Sequence, residues 1–136
     1  MQNEPTDDNI NLVMKKFLIN SNGFINKDND SPNAYPCNET IRFIYDNFEF
    51  LFMERTKFSV GSYGAKHYVE RFRHFMELKN GYVANGELII ALILRGIAFK
   101  HDQDSPNCIF KCSYRDEIEY LIHKGYTLKN RNFTNN

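Results

Sequence analysis

The feature that most limits how this chain can fold is the apolar run LIIALIL at residues 88–94. Asn85 and Glu87 precede the run as helix-starting residues and Gly96 follows it as a helix stop, which predicts a helix over residues 86–95. A helix that is apolar on nearly every side must be buried. Its seven apolar residues are also far fewer than the roughly twenty that cross a bilayer. The sequence therefore predicts a helix inside a protein core.

The length of the chain sets the scale of the fold around this helix. With 136 residues, the chain has the size of one domain and can bury about two-thirds of the surface that it exposes when unfolded. We expect a single domain over residues 1–136, with flexible ends at 1–8 and 127–136. The predicted fold class is α+β and mainly helical, with four or five helices around one core and one or two short β-hairpins. A long helix is predicted over ETIRFIYDNFEFLFMER, residues 39–55.

Two nearly identical hexapeptides, DNDSPN at residues 28–33 and DQDSPN at residues 102–107, interrupt the helical pattern. Asp, Ser, Pro and Asn are favoured in turns. Each copy is therefore predicted to join two strands of a hairpin, GFINK with AYPC in the first half and IAFKH with CIFKC in the second. A helix precedes and follows each hairpin. This order indicates either an internal duplication of a helix-hairpin-helix unit or convergence on common turn residues.

A central amphipathic helix is predicted over SYGAKHYVERFRHFMELK, residues 62–79. Its apolar residues recur at steps of three and four, at Ala65, Tyr68, Val69, Phe72, Phe75 and Met76. The opposite face carries the densest basic cluster in the chain, interrupted by two glutamates. Three pairs are spaced for contact along the helix: Lys66 with Glu70, Glu70 with His74, and Arg73 with Glu77. The first interpretation is a solvated face of paired charges; if it binds a partner, the candidate residues are Lys66, His67, Glu70, Arg71, Arg73, His74 and Tyr82.

Charge and cysteine content limit the partners and the compartment. Seventeen basic residues balance seventeen acidic residues, so the chain lacks the overall positive field that draws proteins to nucleic acid or to anionic membranes. Three cysteines without a leader segment disfavour a secreted disulfide framework. We expect an intracellular protein, in a host cytoplasm or nucleus, or a component of a virion, with no membrane partner.

A calcium site in the first hexapeptide is disfavoured by its residues. Asp28, Asp30 and Glu39 occupy positions one, three and twelve of a calcium-loop count. However, Pro32 stands at a ligand position and Asn33 stands where the sharp turn requires glycine. The hexapeptide is better explained as a turn.

The thiols and histidines form no recognisable metal or catalytic motif. His101, Cys108 and Cys112 are close in sequence, but two cysteines four residues apart on a strand lie about 13 Å apart, too far to share a zinc ion. No oxyanion or orienting signature surrounds a Cys-His pair, and no Walker, dinucleotide or His-Glu-x-x-His motif is present. The sequence therefore predicts no cofactor, no metal and no catalytic residue.

A winged-helix arrangement would place residues 86–95 as the recognition helix and DQDSPN at the tip of the wing. A recognition helix needs a polar outer face to meet phosphates and base edges, whereas this helix is apolar. The acidic wing would also repel phosphate. Nucleic-acid binding would have to use the basic face of helix 62–79 instead.

Three segments within residues 61–112 carry motifs, S-Y-G-x-K-H-x-x-E, Y-x-x-N-G-x-x-I-x-A and P-N-x-x-F. In these motifs the chain resembles small, largely uncharacterised proteins of phages and large DNA viruses. The resemblance implies a viral or mobile-element setting and supplies no activity, cofactor or catalytic residue. The matching residues are Ser62, Tyr63, Gly64, Lys66, His67, Glu70, Tyr82, Asn85, Gly86, Ile89, Ala91, Pro106, Asn107 and Phe110.

Three functions follow from these observations. The leading hypothesis is a non-catalytic accessory or structural protein, of viral setting, that binds another protein or a viral assembly. The alternative is a nucleic-acid-binding module that uses the basic face of helix 62–79. The third is a small enzyme of unrecognised type, which a pocket holding a histidine beside a thiol would favour.

Overall fold

The computed structural model describes residues 2–78 and 80–124, and it confirms an α+β, mainly helical fold. The described residues form six helices: α1 Asp7–Phe17, α2 Asn38–Asp46, α3 Phe48–Leu51, α4 Ser62–Phe75, α5 Asn85–Leu94 and α6 Asp116–His123. They also form seven strands: β1 Ile19–Asn20, β2 Gly23–Phe24, β3 Phe52–Glu54, β4 Val60–Gly61, β5 Phe99–His101, β6 Cys108–Phe110 and β7 Cys112–Tyr114.

Helix α5 lies at the centre of the core, as its apolar sequence predicts. Every residue of α5 except Ile93 is buried, and α1, α2 and α4 all pack against it. Glu87 lies in the first turn of α5. Its carboxylate accepts hydrogen bonds from the N–H of Ala84 at 2.8 Å and from the N–H of Cys37 at 2.6 Å. The second contact joins the start of α5 to the start of α2.

The strands form three small antiparallel sheets, β1 with β2, β3 with β7, and β4–β6–β5. The largest sheet pairs Gly61 with Ile109 and Ile109 with Lys100 in neighbouring strands. Cys108 and Phe110 alternate with Ile109 and point into the core. The sheet therefore has one buried face, and the other face carries Ile109 and Lys100 outward.

The prediction of a single helix over residues 39–55 is wrong, because the helix is interrupted at Asn47. Asn47 leaves the helical conformation (φ −101°, ψ 9°), and its side-chain amide donates to the Phe43 carbonyl at 2.8 Å. Residues 52–54 then form β3, which pairs with β7. Pairing with a distant strand decided the conformation of this segment, and a local helical pattern cannot reveal such a partner.

The two hexapeptides adopt different structures. DQDSPN joins β5 to β6, as predicted. In the first half β2 pairs with β1 instead, and residues 30–37, all of them described, contain no strand. The predicted hairpin between GFINK and AYPC is therefore wrong. This segment makes other contacts instead. The Phe24 N–H donates to Pro106 O at 3.0 Å, and the Asn29 side chain is buried against Asn20.

The predicted bounds of the other helices also shift. Helix α4 ends at Phe75, close to Glu77, which has a positive φ of 59°; Lys79, the last residue predicted in this helix, lies outside the described residues. The sequence also predicts a last helix, YRDEIEYLIHK, that is capped by Ser113 and stopped by Gly125, but helix α6 begins at Asp116, because residues 112–114 belong to β7. Its predicted stop at Gly125 also lies outside the described residues.

The ends of the chain were expected to be flexible, and this expectation stays a prediction. At the N-terminal end, the Asn3 N–H donates to Leu94 O at 2.8 Å, and the Thr6 hydroxyl caps α1 by accepting from the Asn9 N–H. Residues 127–136 lie outside the described residues. Within residues 2–78 and 80–124, none of the helices has the length and apolar character needed to span a bilayer.

Candidate functional site at the start of the central helix

Lys66 was expected on a solvated face of the central helix, and this expectation is wrong. The residue is only 8% exposed, and its Nζ donates to Glu70 Oε2 at 3.0 Å and to Val83 O at 2.9 Å. The predicted contact between Lys66 and Glu70 is confirmed. A buried ammonium needs both an opposite charge and hydrogen-bond acceptors. The segment that leads into α5 supplies the second acceptor and covers the side chain.

Glu70 is the shared acceptor of this group. Besides Lys66, its carboxylate accepts the Val83 N–H at 3.0 Å and contacts His67 Nδ1 at 2.8 Å. Burial opposes ionisation, but the hydrogen bonds from Val83, Lys66 and His67 outweigh it and lower the pKa of Glu70 below its ordinary value. An ionised carboxylate accepts only, so His67 donates from Nδ1. The charge of Lys66 is thus neutralised within the protein.

Two tyrosines stand exposed over this neutral pair. Tyr63 is 56% and Tyr82 63% exposed, and the Lys66 Nζ lies 5.8 Å and 5.0 Å from their ring centroids. The His67 ring meets Tyr63 edge-on at 4.6 Å. Cation–π and edge contacts restrain both rings while leaving much of their surface open. We call Tyr63, Lys66, His67, Glu70 and Tyr82 the tyrosine cluster.

The other basic residues predicted on this face, Arg71, Arg73 and His74, lie in different surroundings. Arg73 is half-buried with its guanidinium 4.9 Å from the Phe43 ring centroid, and two of its nitrogens are buried without a hydrogen bond among the described residues. Arg71 and His74 are exposed. Arg71 lines a separate cavity of about 400 Å³ together with Tyr114 and Glu119. The basic cluster noted in the sequence is therefore divided between partly buried and exposed surroundings.

A trough opens beside the tyrosine cluster, between the first turn of α4 and the β5–β6 hairpin. Its volume is about 550 Å³. At Gly61 an added Cβ would meet no atom within 4 Å, so the glycine leaves open space beside Ile109, which is 40% exposed. We call this cavity the Gly61 trough; its walls include Gly61, Tyr63, Lys100, His101, Asp102 and Ile109.

The trough also brings a histidine beside a thiol, the pair that would favour an enzyme. His101 and Cys108 are cross-strand partners and both line the cavity. Burial raises the pKa of the Cys108 thiol to about 12, so the thiolate required of a nucleophile is scarce at neutral pH. His101 stacks on Phe24 and contacts Ser105 O at 2.7 Å through Nε2. Because this carbonyl only accepts, Nε2 carries the proton.

Most of the motif residues named above have a structural role. Gly86 permits a close approach, since an added Cβ would lie 1.9 Å from Asn20 O. The Asn85 amide donates to Asn22 O at 3.1 Å and to Asn107 Oδ1 at 2.8 Å. Ser62 Oγ accepts the Cys108 N–H at 3.1 Å. The three motif segments are thus held to one another, while Tyr63, His67 and Tyr82 retain accessible surface.

Metal ligands are not assembled in the part of the chain that the structure describes. No group of three or more His, Cys, Asp or Glu side chains within residues 2–78 and 80–124 is arranged to hold a metal ion. Burial raises the pKa of Cys112, like that of Cys108, to about 12.

Sequence reasoning did not identify the trough residues Gly61, Lys100 and Ile109. Alternation in FKH and CIF places Lys100 and Ile109 on one face of their strands. However, only the pairing of β4 with β6 brings Gly61 beside them. That pairing joins residues almost fifty positions apart, and no local pattern specifies it.

Comparison of the chain with protein-family models, with curated proteins and with solved structures finds no match. The resemblance to viral proteins therefore stays a prediction.

Proposed function

We propose that this chain is a non-catalytic accessory or structural protein that acts by binding another protein, and that the tyrosine cluster belongs to its binding surface. The observation that carries the proposal is the exposure of Tyr63 and Tyr82 above a buried, neutralised lysine. Tyrosine gives a large contact area with little loss of side-chain entropy, and it is enriched in protein interfaces. The viral setting implied by the sequence motifs is part of this proposal.

The nucleic-acid alternative is weakened by the same geometry. Glu70 neutralises Lys66, and Phe43 covers one side of Arg73. Among the described residues of this face, Arg71 is the one permanent cation that is exposed. Sequence-independent binding to a phosphate backbone requires several such cations.

The test removes the two exposed rings and compares the result with a matched pair elsewhere. The variant is Tyr63→Ala with Tyr82→Ala, and the control is Tyr35→Ala with Tyr120→Ala, two exposed tyrosines outside the cluster. Quantitative affinity purification from the native organism or particle measures the proteins bound, and thermal melts check that each variant is folded. We expect the amount of each specific partner recovered with the first variant to fall at least about tenfold, since truncation of a hot-spot tyrosine costs about 2 kcal/mol or more. The control should retain them.

Two results would reject the proposal. One is an identical set of bound proteins for the parent and both variants. The other is tight binding of DNA by the parent in a gel shift that weakens steeply with salt and is lost in Arg71→Glu, which would assign the face to nucleic acid.

A further inference from the structure

The outer face of the β4–β6–β5 sheet combines an apolar depression with a fixed cation. Lys100, Ile109 and Gly61 lie side by side across the three strands. Lys100 supplies a charge, Ile109 an apolar side chain, and Gly61 an open space. The row therefore forms one side of the Gly61 trough, with an apolar floor and a basic edge.

Two lysines at this edge are held by one aromatic ring. The Nζ atoms of Lys100 and Lys111 lie 4.9 Å and 4.8 Å from the ring centroid of Phe58. Cation–π contacts restrain the long side chains and leave the ammonium groups with unused donors. Restrained donors lose less entropy when they bind an anion.

The local charge differs from that of the whole chain. Among the described residues that line the trough, Asp102 is the only acid, and it lies in the hexapeptide turn. Lys100 lines the trough and Lys111 flanks it through Phe58. Lys100 and Lys111 together outnumber Asp102 at this edge, in a chain with zero formal charge, and this local excess of one positive charge complements an acidic partner.

We propose that the Gly61 trough binds an extended acidic segment of the partner protein, with one apolar side chain beside Gly61 and Ile109 and carboxylates facing Lys100 and Lys111. This inference rests on the proposed protein-binding function and names the chemistry of the partner. An acidic segment fits better than single-stranded nucleic acid, because Phe58 already contacts two lysines and is not free to stack on a base.

Gly61 permits a substitution that fills the trough without disturbing the fold. Its backbone (φ −73°, ψ 144°) suits any residue, and the space around its Cβ is empty. The blocking variant is Gly61→Leu, and the charge variant is Lys100→Glu. The matched controls are Asn11→Leu and Lys15→Glu, at exposed positions of α1 away from the trough. Each variant keeps its fold if its thermal melt stays close to that of the parent.

The probe is the fluorescein-labelled peptide EDLDE, measured by fluorescence polarisation and by amide chemical shifts in two-dimensional NMR. We expect binding that weakens with salt, with shift changes at Gly61, Lys100 and Ile109. Gly61→Leu and Lys100→Glu should each weaken binding at least about tenfold, while the two controls bind like the parent. EDSDE, which lacks the apolar anchor, and KKLKK, which reverses the charge, should bind more weakly than EDLDE.

Absence of EDLDE binding, or equal binding by Gly61→Leu, would overturn the inference. It would also be overturned if single-stranded oligothymidine bound in place of the peptide and Gly61→Leu prevented that binding. If the peptides fail while Tyr63→Ala with Tyr82→Ala still loses protein partners, the proposed function stands and only the nature of the partner is wrong. If both experiments fail, the proposed function fails as well.

Discussion

The two helices at the centre of the molecule, α5 and α4, bury polar groups in different ways. In α5 the buried polar side chains, Asn85 and Glu87, lie in the first turn and bind backbone groups of the N-cap residue Ala84 and of other segments. The rest of α5 is apolar. In α4 the buried ammonium of Lys66 lies within the helix and is matched by Glu70 one turn later.

This difference determines which helix has a surface available for binding. The polar contacts of α5 fix the positions of the elements around it and leave no exposed face. In α4 Lys66 and Glu70 neutralise each other beneath Tyr63 and Tyr82, so the tyrosine cluster presents aromatic surface above a neutral ion pair. The four predictions below test this contrast between a wholly structural helix and a helix with an accessible face.

Replacement of Ile90 by Asp should have the largest effect, because Ile90 is completely buried at the centre of α5. An unpaired charge there costs several kcal/mol, which is comparable to the whole stability of a small domain. We expect loss of the cooperative thermal transition in circular dichroism. Ile93→Asp, at the one half-buried position of α5, should remain folded with a reduced melting temperature. A parent-like melt for Ile90→Asp would show that α5 is not the core helix.

Glycines at the starts of the two helices should respond in opposite ways to alanine. Gly86→Ala places a Cβ 1.9 Å from Asn20 O, and such overpacking against backbone should lower the free energy of unfolding by about 3 kcal/mol. Gly61→Ala meets open space in an extended conformation. It should be neutral or stabilise the fold by up to about 1 kcal/mol. Urea denaturation measures both changes; a similar loss in the two variants would contradict the close approach at Gly86.

The burial of α5 was predictable because its own residues require it. Seven consecutive apolar residues between a cap and a glycine allow no exposed face, so the sequence alone identifies the core helix. The apolar positions of α4 from Ala65 to Phe75 followed equally well from their spacing. In both cases the physical cause of the structure lies within the helix itself.

The parts that sequence reasoning missed depend on distant partners. Lys66 is buried because Val83 approaches it, and residues 52–54 are a strand because β7 pairs with them. The two hexapeptides are almost identical, yet their neighbours give them different structures. The Gly61 trough arises from the pairing of β4 with β6. Single-residue patterns report local preferences, whereas these features are set by which segments meet.

Replacement of Lys66 should destabilise the fold more than replacement of Arg71 on the same helix. Lys66→Ala leaves the Glu70 carboxylate without its cation and the Val83 carbonyl oxygen without its side-chain donor. We therefore expect the free energy of unfolding to fall by about 2–3 kcal/mol. Arg71→Ala removes an exposed side chain and should change the free energy of unfolding by about 0.5 kcal/mol or less. Urea denaturation of the two variants measures the difference. Equal, small changes would place Lys66 on the solvated face that its sequence position suggested.

The smallest expected effect is a contrast in pH dependence between Glu70 of α4 and Glu87 of α5. The hydrogen bonds to Glu70 outweigh its burial and lower its pKa below the ordinary value of 4.5, so its stabilising contribution is present above about pH 4.5 and is lost as the pH falls through the folded-state pKa. Burial raises the pKa of Glu87 despite the hydrogen bonds from Ala84 and Cys37. Its contribution is therefore greatest below about pH 4.5 and is lost as the pH rises through the folded-state pKa. We subtract the free energy of unfolding of each glutamine variant from that of the parent. This difference should increase with pH for Glu70→Gln and should decrease with pH for Glu87→Gln. Urea denaturation at a series of pH values measures both differences, and slopes of the same sign would mean that the two carboxylates do not have the opposite environments described for them.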